Sequence, residues 1–310
     1  MVGIFKKKSF KGFLLAAFAA LSVSNVYIFS KAALLVTPLY TFGFYWFLLA
    51  FSYNLALITS TGKIKLFFSY PTKILKAIVV IATFELLAAI TFYIGMQRIE
   101  SPSVASFLNN TTPVFVTLIS IPLLNEKFNK LETIGIAVTL AGAFLLSYSG
   151  KFTLNGLFVK GANIIVFSCL LAAVGLVIAK KNIKNVDPYL LSFSRTVFLL
   201  VFYALGLFLT AQPVEVSGKV FMDIALGSFL GPFLGSILQY NAFRFIEVSK
   251  ESLIQNTNGL FVIITGYLYL GIFPLYVQII GGFITIGGVA IMVFGKLYYR
   301  KQRYRVKQYS

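Results

Sequence analysis

Histidine is absent from the chain and cysteine occurs once. The first absence removes His-ligated haem, most zinc sites and any Ser-His triad. The second excludes an intrachain disulfide, and Cys169, set in an apolar run, reads as an inert buried thiol. Acidic residues are scarce as well: 9 Asp and Glu stand against 27 Lys and Arg, a net charge of +18. Charged residues of both signs make up 12% of the 310 residues, where a soluble domain carries about 25%. Apolar residues fill the space, at 58% with a mean hydropathy of +0.88. That composition belongs to an integral membrane protein. The basic surplus then suits the cytoplasmic face of a bilayer, and nucleic acid is not an expected partner. Little room remains for enzyme chemistry, so no catalytic residue, cofactor or metal is expected. Neither a GxxxxGK[ST] motif nor a soluble domain able to hold ATP is present.

A membrane helix needs about 20 mainly apolar residues. Uncharged runs cover Gly12 to Ser30, Ala32 to Gly62, Ser101 to Asn125, Thr133 to Gly150, Gly161 to Ala179, Thr196 to Val214, Ile224 to Phe243 and Ser252 to Gly295. The turn signal Gly271-Ile272-Phe273-Pro274 splits the last run in two. Ala77 to Gln97 adds a span interrupted only by Glu85, and the seventh span starts near Tyr189 and contains Arg195. The expected count is ten. Alternate connections then collect nearly all the basic residues on one side. Lys31, Arg98, Lys151, Lys160 and Lys219 alone face the other, and Arg195 lies within a span. The positive-inside rule places both termini in the cytoplasm. The basic N-terminal stretch superficially resembles a signal peptide, but its removal would break the symmetry described next, so retention is expected.

Self-similarity organises the chain. Tyr93, Ile99, Glu100 and Asn109 recur at constant spacing as Tyr240, Ile246, Glu247 and Asn256. One residue of slippage later, Gly135 and Gly142 align with Gly281 and Gly288, while Gly12 pairs loosely with Gly156 and Pro38 with Pro188. Residues 11–148 and 155–295 are thus read as two five-span halves, followed by a basic 296–310 tail. An odd number of spans inverts the second half relative to the first. Inverted repeats are a recurring device of secondary transporters, whose site lies at the repeat interface.

The stretch Arg98–Ser147, with a small-residue run, Pro113, Glu126 at the end of a span and then Gly135 and Gly142, resembles the EamA domain of the drug/metabolite transporter superfamily. In the second half Gln278, Gly281 and Gly288 follow the same pattern, although Phe273 stands where an acidic residue is usual. Pro188 to Arg195 matches the Pro-to-Arg element, whose first-half counterpart has Pro38 but Tyr45. The resemblance implies a ten-span, all-helical carrier of small amphiphilic metabolites such as amino acids or drug-like compounds. It would work by alternating access in the inner (plasma) membrane, with export as the family's usual direction. The rival class is a membrane-embedded sensor or a channel without carrier activity. Saturable counterflow separates carrier from channel.

Glu85 is the sharpest single residue. A carboxylate near the middle of a span costs about 2.5–3.5 kcal/mol on insertion scales. It therefore serves a proton or a substrate amine, or it is a neutral Glu bonded to a Ser, Asn or Tyr of a neighbouring helix. Arg195 lies roughly two turns inside its span, where its stem can snorkel; capture of a substrate carboxylate or a salt bridge is the alternative. Asn109, Asn110 and Thr111 in the fourth span and Asn256, Thr257 and Asn258 in the ninth are repeat-related amide clusters. Each should face protein or water, as half of a substrate site or as inter-helix glue. Gln97, Gln239, Asn241 and Asn25 are weaker candidates. Gly227, Gly231 and Gly235, four apart, predict close helix packing. The tail KLYYRKQRYRVKQYS and the basic loops should meet anionic headgroups. A small molecule is the other expected partner, and a homodimer is left open.

Overall fold

The computed structural model describes residues 2–98, 105, 108–146, 161–270 and 275–306. The Ile99 and Glu100 members of the repeat, the linker around Lys151, the Gly271–Pro274 turn and the end of the tail lie outside them. The described chain is helical throughout, without a strand. Its α-helices are α1 Val2–Leu34, α2 Leu39–Ser60, α3 Ile64–Ser69, α4 Thr72–Arg98, α5 Thr112–Leu124, α6 Lys130–Leu146 and α7 Ala162–Asn182. They continue with α8 Pro188–Thr210, α9 Gly218–Ser228, α10 Ser236–Ala242, α11 Val248–Gln255, α12 Asn258–Leu270 and α13 Tyr276–Val306. A π-helical turn, Phe229–Gly235, joins α9 to α10. Among the described residues, six segments are long and apolar enough to cross a membrane: Ser9–Leu34, Leu39–Ser60, Thr72–Arg98, Asn163–Asn182, Pro188–Thr210 and Gly218–Ala242. Thr112–Leu124 and Ile279–Gly295 are shorter apolar helices.

The helix ends follow local chemistry. Asp187 caps α8, its Oδ1 accepting from the Tyr189 N–H at 2.9 Å, with Pro188 at the first helical position where a missing N–H does no harm. Asn129 and Glu132 cap α6 reciprocally: Asn129 Oδ1 accepts from Glu132 N at 2.9 Å and Glu132 Oε2 from Asn129 N at 2.8 Å. At the end of α8, Ala211 adopts a left-handed φ of 47° in an exposed position. A left-handed residue other than glycine carries about 1–2 kcal/mol of strain. Ala211→Gly should therefore stabilise the protein by about 1 kcal/mol, read as a rise in thermal unfolding temperature in detergent micelles. A lower temperature would show that the strain is already relieved.

Three expected spans are not simple helices. The eighth carries the π turn around Pro232, whose ring nitrogen cannot bond the preceding turn. Neighbouring serines bond carbonyls of the turn itself: Ser22 Oγ donates to Leu230 O at 2.7 Å and Ser192 Oγ to Pro232 O at 3.4 Å. The fourth and ninth spans, read as continuous from sequence, break at Asn110-Thr111 and at Asn256-Thr257. The two breaks are alike. Thr111 directs both its N–H (3.1 Å) and its Oγ1 (2.7 Å) to Leu108 O, and Thr257 does the same to Ile254 O (2.9 and 2.8 Å). A side chain that competes for a backbone carbonyl ends the regular ladder. The matching geometry pairs Asn110 with Asn256 and Thr111 with Thr257. The slippage between the halves therefore falls before the breaks, one step earlier than the sequence alignment of Asn109 with Asn256 had it.

Packing relates the two halves. α2 lies on α8 and α6 on α13. α4 lies on α7 as α1 lies on α9, the π turn and α10, while α5 lies on α7 as α11 and α12 lie on α1. Exchanging the halves maps these pairings onto one another. The α6–α13 seam is closest. A Cβ at Gly135 would come within 2.6–2.8 Å of the Met292 nitrogen and Gly288 oxygen, and one at Gly142 within 2.4–2.9 Å of the Thr285 nitrogen and Gly281 oxygen. The four glycines aligned in sequence thus face one another antiparallel, with backbones in contact. Gly227, Gly231 and Gly235 admit Trp46, Val26 and Val23 in the same way.

Two charged residues assigned to loops are buried instead. Lys31 continues α1 and donates to Met96 O at 3.3 Å. Lys250, in α11, pairs with Glu132 and, at 3.5 Å, with Glu247. Glu126 accepts from Val248 N at 3.0 Å and from Ser249 Oγ, closing the N-terminus of α11. With Lys63–Asp187 at 2.7 Å, Arg244–Asp187 at 3.7 Å and Lys180 donating to the Phe243 and Ile246 carbonyls, these contacts knit four connections together at one end of the bundle.

Candidate functional site

Between the halves lies a cavity of about 190 Å³. α4 supplies Glu85, Ala88, Phe92 and Tyr93, and α1 supplies Val26 and Tyr27. The broken spans supply Asn109, Asn110 and Thr112 from one half, and Gln255, Asn256 and Asn258 from the other. In the alignment set by the breaks these two triplets are equivalent position by position. α8 adds Arg195, the π turn Gly231 and Pro232, and α10 Ser236 and Gln239.

Arg195 does not snorkel. Its Nε lies 3.2 Å from Glu85 Oε2, and its Nη1 donates to Ser236 Oγ at 2.7 Å. The side chains are 23% and 8% exposed. α4 and α8 are in contact, and two opposite charges brought into a low-dielectric interior neutralise each other rather than reach separately for water. Glu85 thus has a cationic partner, where a neutral bonding partner was the structural expectation.

The amide clusters divide by role. Asn109 is tied down: its Nδ2 donates to Tyr27 Oη at 2.7 Å, and its Oδ1 faces Cys169 Sγ at 3.4 Å and Thr112 Oγ1 at 3.5 Å. Asn110 donates to Ala143 O at 3.4 Å. In the second half, Asn256 and Asn258 are only 2% and 4% exposed, yet among the described residues Asn256 Nδ2 and Asn258 Oδ1 have no partner, nor does Gln255 Oε1. Orphaned buried amides cost free energy unless a ligand or water meets them. Thr111 and Thr257 do not line the cavity; their hydroxyls are committed to the breaks. Gln97 is exposed, away from the cavity. Asn25 and Asn241 bond back to their own helices, to Leu21 O at 3.0 Å and Ile237 O at 2.8 Å.

Sequence reasoning missed Glu251. It is fully buried behind the cavity wall, where Gln239 Nε2 donates to it at 3.3 Å and Gln255 Nε2 at 2.6 Å. Its neighbour Lys250 made this stretch look like a cytoplasmic loop. The one available signal was Gln255 four residues on, which a helix stacks over Glu251.

The cavity between the two packed halves thus carries amides on its broken helices, an ion pair on two continuous ones, and apolar side chains between them. The EamA-like transporter family model matches twice, over residues 10–148 and 159–294, and the chain belongs to that family. The uncharacterized transporter YdfC of Bacillus subtilis (strain 168) is 25% identical over 203 residues, 62% of this chain; the match spans 63% of that relative's length. A solved crystal structure that is 16% identical superposes with a TM-score of 0.73, covering 90% of this chain and 94% of the other, a likeness of fold.

Proposed function

We propose that the protein is a secondary transporter of the plasma membrane that moves small amphiphilic metabolites, amino acids foremost, by alternating access. Export is the direction that the family resemblance suggests. The topology behind this reading is ten spans in two inverted repeats, residues 11–148 and 155–295. Both termini and the basic tail lie at the cytoplasmic face, against anionic lipid. The two-fold packing and the antiparallel glycine seam support it, as does the gathering of the basic connections at one end.

One observation carries the substrate class: partnerless amides on Asn256 and Asn258 share a cavity with the Glu85–Arg195 pair. A zwitterion answers both charges at once, its carboxylate to Arg195 and the Asn256 donor, its ammonium to Glu85 and the Asn258 acceptor. No net charge is then buried without a partner. The size agrees, since about 190 Å³ lies below the roughly 300–1,000 Å³ of drug-sized sites.

The test is purified protein in proteoliposomes loaded with a mixed pool of L-amino acids, followed by mass spectrometry. Selective, saturable movement with counterflow is expected. Asn256→Leu should raise KM about 10- to 100-fold, the loss of one hydrogen bond to a charged group, with folding intact. Flux that saturates nowhere and shows no counterflow would instead mark a channel.

A further inference from the structure

Once Glu85 and Arg195 neutralise each other, one uncompensated charged group remains beside the cavity. Glu251 is completely buried, and among the described residues no Lys or Arg lies within ion-pair distance of it. The charged groups on the elements packed against α11 are engaged elsewhere. Lys11 of α1 lies over the Phe245 ring at 5.4 Å, and Glu126, following α5, caps α11. Glu132 of α6 holds Lys250, which on α11 itself also meets Glu247, and Lys180 of α7 binds two carbonyls. Among the described residues the carboxyl of Glu251 meets two amides, Gln239 and Gln255, and both side chains also line the cavity.

Gln255 is held in one sense. Its Nε2 donates to Glu251 Oε1 at 2.6 Å, so its Oε1 is left buried with no partner among the described residues. This sense suits a carboxylate, which only accepts. A protonated carboxyl donates through its O–H, and the amide that meets it must present oxygen instead. Its NH₂ then turns toward the cavity.

We propose that Glu251 is the proton-carrying residue of this transporter and that Gln255 reports its state to the cavity. With Glu251 ionised, Gln255 Oε1 offers an acceptor to a substrate ammonium. When the carboxylate takes a proton from hydronium in the cavity, one O–H bond breaking there as one forms on the carboxyl and neutral water remaining, the amide reverses and the acceptor becomes a donor. Proton and ammonium therefore exclude each other, and by linkage each lowers the other's affinity by the same factor. A carrier with this property exchanges protons for its amine-bearing substrate. The exchange rests on the carrier reading above; the proton site does not.

The two are separated by measuring them separately on the full-length protein in liposomes. Infrared difference spectra between mildly acidic and mildly alkaline pH should show the C=O stretch of a protonated carboxyl. That band should vanish in Glu251→Gln and persist in Glu85→Gln. With the L-amino acid pool and an acidic lumen, wild type should accumulate substrate above equilibrium. Glu251→Gln should only equilibrate it while keeping counterflow. Gln255→Leu should keep the band but lose the pH dependence of counterflow, an outcome that a purely structural role for Gln255 does not produce. No titrating band in wild type, a band unchanged in Glu251→Gln, or one lost in Glu85→Gln overturns the proposal. A band lost only in Glu251→Gln, with no amino acid moved by wild type, upholds the proton site and rejects the substrate class.

Discussion

Glu85→Ala should destabilise the protein by about 3–5 kcal/mol, because it leaves the Arg195 guanidinium buried without its counter-charge. Arg195→Ala should do much the same from the other side, since it strips Glu85 of its cation and Ser236 of its donor. The paired replacement Glu85→Leu with Arg195→Met should cost far less than either single change, as an apolar pair carries no charge to strand. Chemical unfolding in detergent micelles gives all three values, and their cycle isolates the coupling. Ordinary hydrogen bonds in membrane bundles couple by only about 0.6 kcal/mol on average. A coupling of that size here would mean that water reaches the pair and that the ion pair contributes little. All three variants should fail to transport, the double one despite folding well. That combination separates the pair's role in function from its role in stability.

The α6–α13 seam gives the second large effect, with its control one residue away. A Cβ at Gly288 would lie 2.4 Å from the Thr139 nitrogen, a backbone atom that cannot swing aside; one at Gly287 meets nothing within 4 Å. Gly288→Ala should therefore force the helices apart and cost about 3 kcal/mol or more. Gly287→Ala should be neutral or gain up to about 1 kcal/mol from helix propensity. Equal melting temperatures for the two variants would mean that the seam separates without penalty.

The membrane class and the helical character were legible because they rest on composition and periodicity, which act locally. The Gly135, Gly142, Gly281 and Gly288 series was legible for a different reason: two aligned copies of one spacing reveal a packing face without naming its partner. The breaks at Thr111 and Thr257 were not legible, since a threonine facing its own helix and one ending it look the same in a sequence. Arg195 read as a snorkelling residue because its counter-charge lies on another helix, reachable only after α4 and α8 pack. Lys31, Lys250 and Glu251 were misplaced or missed for a related cause. Each is a charge, and a charge beside a hydrophobic run reads as a loop until burial and a partner are seen.

The repeat places Pro232, in the π turn, opposite Glu85, and Tyr45 opposite Arg195; the ion pair draws one member from each half. Two copies of the first half, paired in the same way, would set Glu85 against Tyr45; two copies of the second would set Arg195 against Pro232, and either would leave a buried charge without its partner. Neither half can substitute for the other. The fused chain is thus a heterodimer in disguise, and severing it between the halves should yield fragments that restore activity only when produced in the same membrane.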